Sequence, residues 1–231
     1  MAEADWTFCD DGLDQATVDR GATAGVTPPS GGGSYTFGMN SLAATTGAVG
    51  LFYNGANFVP AVKGGSVRGA MKRHPGAGVT GWSPFLFGCL QGPSVNDDCY
   101  MLGLSDEDPH KIVLRKGALI DGLHGSAVAP ETTGVLRSST ATFALGTWLH
   151  LRMDFVVNPN GDVVLNVFRN EADVDTPIWT AIPGMAPFID DQLGVNSGSQ
   201  PLTSGRMGFG SRFAAITRRA FFDQIEVFRQ T

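Results

Sequence analysis

Between Thr147 and Arg169 the chain reads TWLHLRMDFVVNPNGDVVLNVFR, two stretches in which apolar and polar residues alternate. In the first, Leu149, Leu151, Met153, Phe155 and Val157 are apolar, while Trp148, His150, Arg152 and Asp154 fall between them. A period of two puts the two sets on opposite faces of a strand. Val163, Leu165 and Val167 repeat the pattern after Asn158-Pro159-Asn160-Gly161. Asn-Gly is a strong hairpin signal because both residues tolerate positive φ. The pair predicts antiparallel β-structure with one dry face and one decorated face.

The same pattern recurs in short runs. Strands are predicted at Trp6–Phe8, Tyr35–Met39, Ala48–Tyr53, Ser66–Lys72, Pro84–Leu90, Cys99–Leu104, Lys111–Arg115, Thr142–Leu145, Ile178–Ile182, Arg206–Gly210 and Ala220–Phe228. Tyr100, Leu102 and Leu104 share a face, as do Ile112 and Leu114, and Phe221, Ile225 and Val227. Glycine-bearing turns separate them: Asn54-Gly55, Lys63-Gly64-Gly65, Lys116-Gly117 and Asp121-Gly122. Many short strands with such turns predict a jelly-roll β-sandwich of about a dozen strands. One helical segment, Ala186–Gln192, is expected between Pro183 and Gly194. Residues 1–33 are expected to form an arm or opening strand and a Gly-rich loop, and residues 34–231 a single sandwich domain.

Composition narrows the function. Glycine supplies 31 of 231 residues, well above the usual ~7%, and is scattered between apolar runs as turn punctuation. Charged residues make up 16%, and only four of the 16 basic residues are lysine. Low charge with retained arginine is the composition of interface surface, so a homo-oligomer, such as a trimer, is expected. Bias in composition from the family or host explains the same numbers. A net charge of −6 argues against general nucleic-acid binding. The opening MAEADWTFCDDG is acidic and predicts no signal peptide, and no apolar run suggests membrane insertion. Cys9, Cys89 and Cys99 have no metal-ligand spacing. They are expected as reduced thiols, although Cys89 and Cys99 lie where a hairpin would set them opposite each other.

Three pieces taken in order resemble the concanavalin A-like lectin/glucanase jelly rolls, in the laminin-G-like branch seen in phage virion proteins. They are CYMLGLSDEDPHKIVLRKGALIDGL (Cys99–Leu123), TWLHLRMD with its Asn-Gly hairpin, and the closing RRAFFDQIEVFRQ (Arg218–Gln230). The connection IPGMAPFIDDQLGVNSGSQPLTSGRMGFG also looks like that of phage-encoded members. The resemblance implies two curved antiparallel sheets, one often used to hold saccharide or a partner. It implies a non-enzymatic bacteriophage virion protein, at a tail tip or baseplate, that meets host-surface glycan or other virion subunits. Such a protein is located in the virion and assembled in the host cytoplasm. A capsid-decorating or cement protein is the alternative, and a divergent glycoside hydrolase a third. Glucanases of this fold carry a Glu-x-Asp-x-Glu strand that this chain lacks. Glu107, Glu131, Glu171 and Glu226 are isolated in sequence, so paired-carboxylate hydrolysis is not supported.

The candidate binding residues are Trp148, His150, Arg152 and Asp154. An aromatic ring for stacking and directed charge-assisted hydrogen bonds suit a binding surface. A solvated sheet face with a cross-strand Arg–Asp pair is the plainer account. Arg68, Lys72 and Arg73, beside His74, form a basic cluster that suits an anionic partner or blunts an edge strand. No cofactor is implied. Calcium is the one ion the acidic turns permit, through Asp97, Asp98, Asp106 and Asp108; solvated turns explain them equally. Asp223, in phase with Phe221, Ile225 and Val227, is expected to point inward as a structural carboxylate.

Overall fold

The computed structural model describes residues 6–9, 16–20, 37–41, 47–53, 64–73, 83–105, 109–123, 134–144, 146–172, 176–191, 200–213 and 219–230. The strands are β1 (Trp6–Cys9), β2 (Ala16–Arg20), β3 (Phe37–Ser41), β4 (Gly47–Tyr53), β5 (Gly64–Arg73), β6 (Ser83–Leu90), β7 (Asp98–Leu104), β8 (Lys111–Ala118), β9 (Val135–Thr142), β10 (Leu149–Val157), β11 (Val163–Asn170), β12 (Trp179–Ala181), β13 (Phe188–Asp190), β14 (Arg206–Phe213) and β15 (Arg219–Gln230). One sheet has the order β1-β4-β14-β6-β7-β8-β9 and the other β12-β11-β10-β5-β15-β3-β2. The short β13 continues the β12 edge by pairing with the other end of β11. The pairs are antiparallel, as the alternating pattern requires, and the two sheets form a jelly-roll sandwich.

The core lies between the sheets. Leu151, Met153, Phe155, Val163, Leu165 and Val167 of the predicted hairpin meet Leu86, Tyr100, Leu102, Ile112 and Leu114 of the facing sheet. The hairpin loop differs in detail from a two-residue turn. The amide of Gly161 donates to the Asn158 carbonyl at 2.9 Å, and Gly161 takes φ +92°. Pro159 fixes a negative φ, so the positive φ falls on the glycine.

The outer faces of the sheets differ, and this difference positions the site. β6 is buried along its whole length. Phe85, Phe87, Cys99, Met101 and Val113 form a second apolar cluster outside the first sheet, covered by Val95, Leu119 and Leu123. Leu119 belongs to a 3-10 turn, Leu119–Asp121. The first sheet is therefore greasy on both sides, while the outer face of the second carries the polar residues of β10.

Several expectations are corrected. The segment expected as helix, Ala186–Gln192, contains the strand β13. Pro187 disfavours a helix interior. A period of two governs instead, with Phe188 packed on the core, Ile189 outside and Asp190 buried inside. The ninth strand is Val135–Thr142 rather than Thr142–Leu145; its run of Ser and Thr hides the alternation, and Leu145 lies outside the described residues. Within residues 1–33, expected as an arm or opening strand and a Gly-rich loop, the described residues form the two strands β1 and β2.

Two bulges overturn phase predictions. The ladder pairs Gly88 with Tyr100, so the next step would set Cys89 across from Cys99. Cys89 takes φ +58° beside a register shift between Arg206 and Gly208. It turns into the inter-sheet core while Cys99 stays in the outer cluster. Both thiols are buried, and burial pushes the pKa of the Cys89 thiol well up. In β15 the register shifts between Asp223 and Glu226, with Gln224 at φ +50°. Phe222, Ile225 and Val227 reach the core, so Asp223 lies on the opposite face from Ile225. It is buried there, and its Oδ1 accepts from the Gln224 amide at 3.0 Å.

Candidate binding site: a groove on the outer face of the second sheet

Strand register arranges the outer face of β11, β10, β5 and β15 into rows. Asn166, Asp154, Ser66 and Phe228 form one row across the four strands. Phe168, Arg152, Arg68 and Glu226 form the next. In the row beyond, His150 faces Ala70, which faces Asp223. Neighbours within a row are about 4.8 Å apart and successive rows about 7 Å. Asn166, Asp154, Ser66 and Phe228 of the first row and Arg152 and Arg68 of the second, with Gly65, Phe155 and Val156, line a groove of about 320 Å³.

Three charges line this groove, Arg152, Asp154 and Arg68, and Glu226 beside it completes two ion pairs. Arg152 grips Asp154 through two hydrogen bonds, Nε to Oδ1 at 2.7 Å and Nη2 to Oδ2 at 2.6 Å. The pair is two residues apart on one strand, not cross-strand. Arg68 Nε donates to Glu226 Oε2 at 2.6 Å, and its Nη2 reaches the same oxygen. Both guanidiniums also lie against aromatic rings. Arg68 is 4.8 Å from the Phe228 centroid, and Arg152 is 5.5 Å from that of Phe168.

Trp179 ties the two together. Its ring centroid is 5.9 Å from the Arg68 guanidinium and 6.0 Å from that of Arg152. β12 is three strands from β5, about 14 Å in a flat sheet; the indole must therefore fold back over the face. It meets His150 edge-on at 4.7 Å. His150 is buried, and its pKa falls to about 4, first through desolvation and second through the charge of Arg68. Asn170 Oδ1 accepts from the amides of Ala172 and Ile178, which orients the side-chain amide. Its Nδ2 then donates to His150 Nδ1 at 3.1 Å. The imidazole is neutral at pH 7, with its proton on Nε2.

The residues expected from sequence divide accordingly. Arg152, Asp154 and Arg68 line the groove. His150 lies in the adjoining row, and Trp148 takes the Lys72 ammonium at 5.8 Å from its centroid. Arg73 does not join Arg68 and Lys72. It is buried, 4% exposed, and pairs with the core residue Ala220. Asp97 closes a turn, accepting from the Ser94 amide at 2.8 Å, and Asp98 opens β7. Asp106, Asp108 and Glu107 lie outside the described residues. Among the described residues no three His, Cys, Asp or Glu side chains gather as a metal-binding group.

A second polar cluster, unforeseen in the sequence, lies between the sheets. Asp190 Oδ2 accepts from Tyr100 Oη and from Lys116 Nζ, each at 2.6 Å. Asp190 is fully buried and Lys116 nearly so. Desolvation, then the bond to Asp190, raises the Tyr100 pKa far above that of a free phenol. The cluster ties β13 to the facing sheet.

No protein-family model matches the sequence, and no curated protein matches it. Solved structures similar to the chain include a protein of unknown function from Shewanella oneidensis MR-1, at 11% identity and TM-score 0.53, covering 99% of this chain and 79% of that one. The PL-14 alginate lyase from Aplysia kurodai matches at 12% identity and TM-score 0.50, over 94% and 88% of the two chains. The carbohydrate recognition domain of Emp47p matches at 11% and 0.46 over the full length of both. At such identities the likeness concerns the fold alone: a jelly-roll β-sandwich, here with one outer face covered and the other open as a polar groove.

Proposed function

We propose that this chain is a non-catalytic carbohydrate-binding β-sandwich whose binding surface is the groove between Asn166, Asp154, Ser66 and Phe228 and the Arg152–Arg68 row. The observation that carries the proposal is the groove's chemistry. Guanidinium donors and carboxylate acceptors alternate beside Phe228, which is 46% exposed. Saccharide recognition calls for this combination: directed polar groups for hydroxyls and an aromatic ring for the apolar face of the sugar. Asp154 and Glu226 are each engaged by an arginine, which suits holding a ligand rather than cycling protons through a paired-acid reaction.

The bacteriophage setting belongs to the same proposal. It rests on the sequence resemblance of Cys99–Leu123, Thr147–Asp154 and Arg218–Gln230, with host-surface glycan as ligand at a tail tip or baseplate. The low charge and scarce lysine support contacts with further copies or other virion subunits.

An array of bacterial surface glycans probed with the full chain tests this function. Retention is expected, with loss in Arg152→Ala and Asp154→Ala and no release of sugar or acyl product. Product release would overturn the non-catalytic assignment. Silence across the array, together with capsid labelling in intact particles, would favour a cement protein.

A further inference from the structure

Ser66 stands at the centre of the first row, between Asp154 on β10 and Phe228 on β15. The residue is 9% exposed, yet its Oγ is buried without a hydrogen-bond partner. An unmet buried hydroxyl is costly, and native structures rarely leave one without a reason. Here it lines the groove, beside a carboxylate on one side and an aromatic ring on the other. Rotation of the hydroxyl toward the groove would let a ligand hydroxyl seated between Asp154 and Phe228 satisfy it.

The charges select the kind of ligand. Arg68 and Arg152 are offset by Glu226 and Asp154, so the groove has no net charge. A carboxylated or sulfated sugar must displace Asp154 or Glu226 from its guanidinium, or approach with both carboxylates in place. Either route carries a like-charge or desolvation cost. The chain's net charge of −6 adds long-range repulsion of a polyanion. A sugar hydroxyl both donates and accepts, so it fits beside a guanidinium–carboxylate pair without breaking it.

We infer that the Ser66 groove is a subsite for a neutral pyranose, held without calcium, with one hydroxyl bonded to Ser66 Oγ and the ring against Phe228. This rests on the carbohydrate-binding function proposed above and names its ligand class.

Calorimetric titration of the full chain provides the test. The probes are neutral oligosaccharides (hexoses, 6-deoxyhexoses and N-acetylhexosamines) and uronate oligosaccharides of matched length. Each is titrated with calcium and with EDTA. A neutral sugar is expected to bind equally in both, at least tenfold tighter than any uronate. Ser66→Ala is expected to weaken binding about fivefold, the value of one net hydrogen bond. Its thermal midpoint should be no lower than wild type, because no folded-state hydrogen bond is lost. Tighter uronate binding, a calcium requirement, or an unchanged affinity in Ser66→Ala would overturn the inference while leaving carbohydrate binding intact. Absence of binding to every saccharide would overturn both.

Discussion

Acidification titrates His150 in a way the fold opposes, and the cost follows from its surroundings. The imidazole has an ordinary pKa of 6.5 and one of about 4 in the folded chain. Burial is the main cause and the Arg68 charge the second. Protonation would also put a proton on Nδ1, where the Asn170 amide now donates. Because the folded pKa is depressed, the unfolded chain binds the proton more readily between pH 6.5 and 4. Stability from this group is thus present above pH 6.5 and lost as pH falls toward 4. At 1.36 kcal/mol per unit, the loss is about 2 kcal/mol by pH 5 and at most about 3 kcal/mol overall. Solvent at the groove rim lowers both figures.

The assay is urea unfolding of wild type and His150→Gln at pH 7 and pH 5. Other titrating groups are common to both proteins and cancel in the difference. The wild-type stability relative to the variant is expected to drop by about 1–2 kcal/mol on going from pH 7 to 5. A difference independent of pH would show that His150 is not held neutral by this environment.

Further outcomes follow from the other contacts. Lys116→Met should destabilise the chain by about 3–5 kcal/mol, because Asp190 is left charged in the core; Lys116→Met combined with Asp190→Asn should recover part of this by chemical denaturation. Gly161→Ala should cost about 1 kcal/mol by the same measurement, since a Cβ at φ +92° is strained although nothing lies within 4 Å of it. Asp223→Ala should cost about 1–2 kcal/mol by removing the acceptor that holds the β15 bulge, with glycan affinity unchanged; a wild-type melting temperature would refute that role.

Where alternation is regular, the sequence was readable. The hairpin of β10 and β11 and the placement of Arg152 and Asp154 on one outer face follow directly from a period of two. The cross-strand partners do not: a two-residue Asn160-Gly161 turn would have paired Asp154 with Val167, whereas the loop closed by Asn158 and Asp162 shifts the register by one and sets Asn166 beside Asp154 and Phe168 beside Arg152. What escaped depends on contacts distant in sequence. Glu226 looked isolated because Arg68 is 158 residues away, and the β15 bulge shifts the phase that would have aligned them. Ser66 had no signal of its own, since a serine on a strand is ordinary until its neighbours across the sheet are known. Trp179 lies on a three-residue strand, too short for a period to emerge. Asp190 sat in a segment whose composition suggested a helix, and Lys116 in what read as a turn.

Amide chemical-shift mapping of the full chain during titration with a neutral oligosaccharide probes the groove most directly. Shifts should concentrate at Ser66, Arg68, Arg152, Asp154, Asn166 and Phe228, and fade toward the covered cluster around Phe85 and Met101. Saturable binding with its largest shifts on the first sheet or its loops, and none along the Ser66 row, would contradict the assignment.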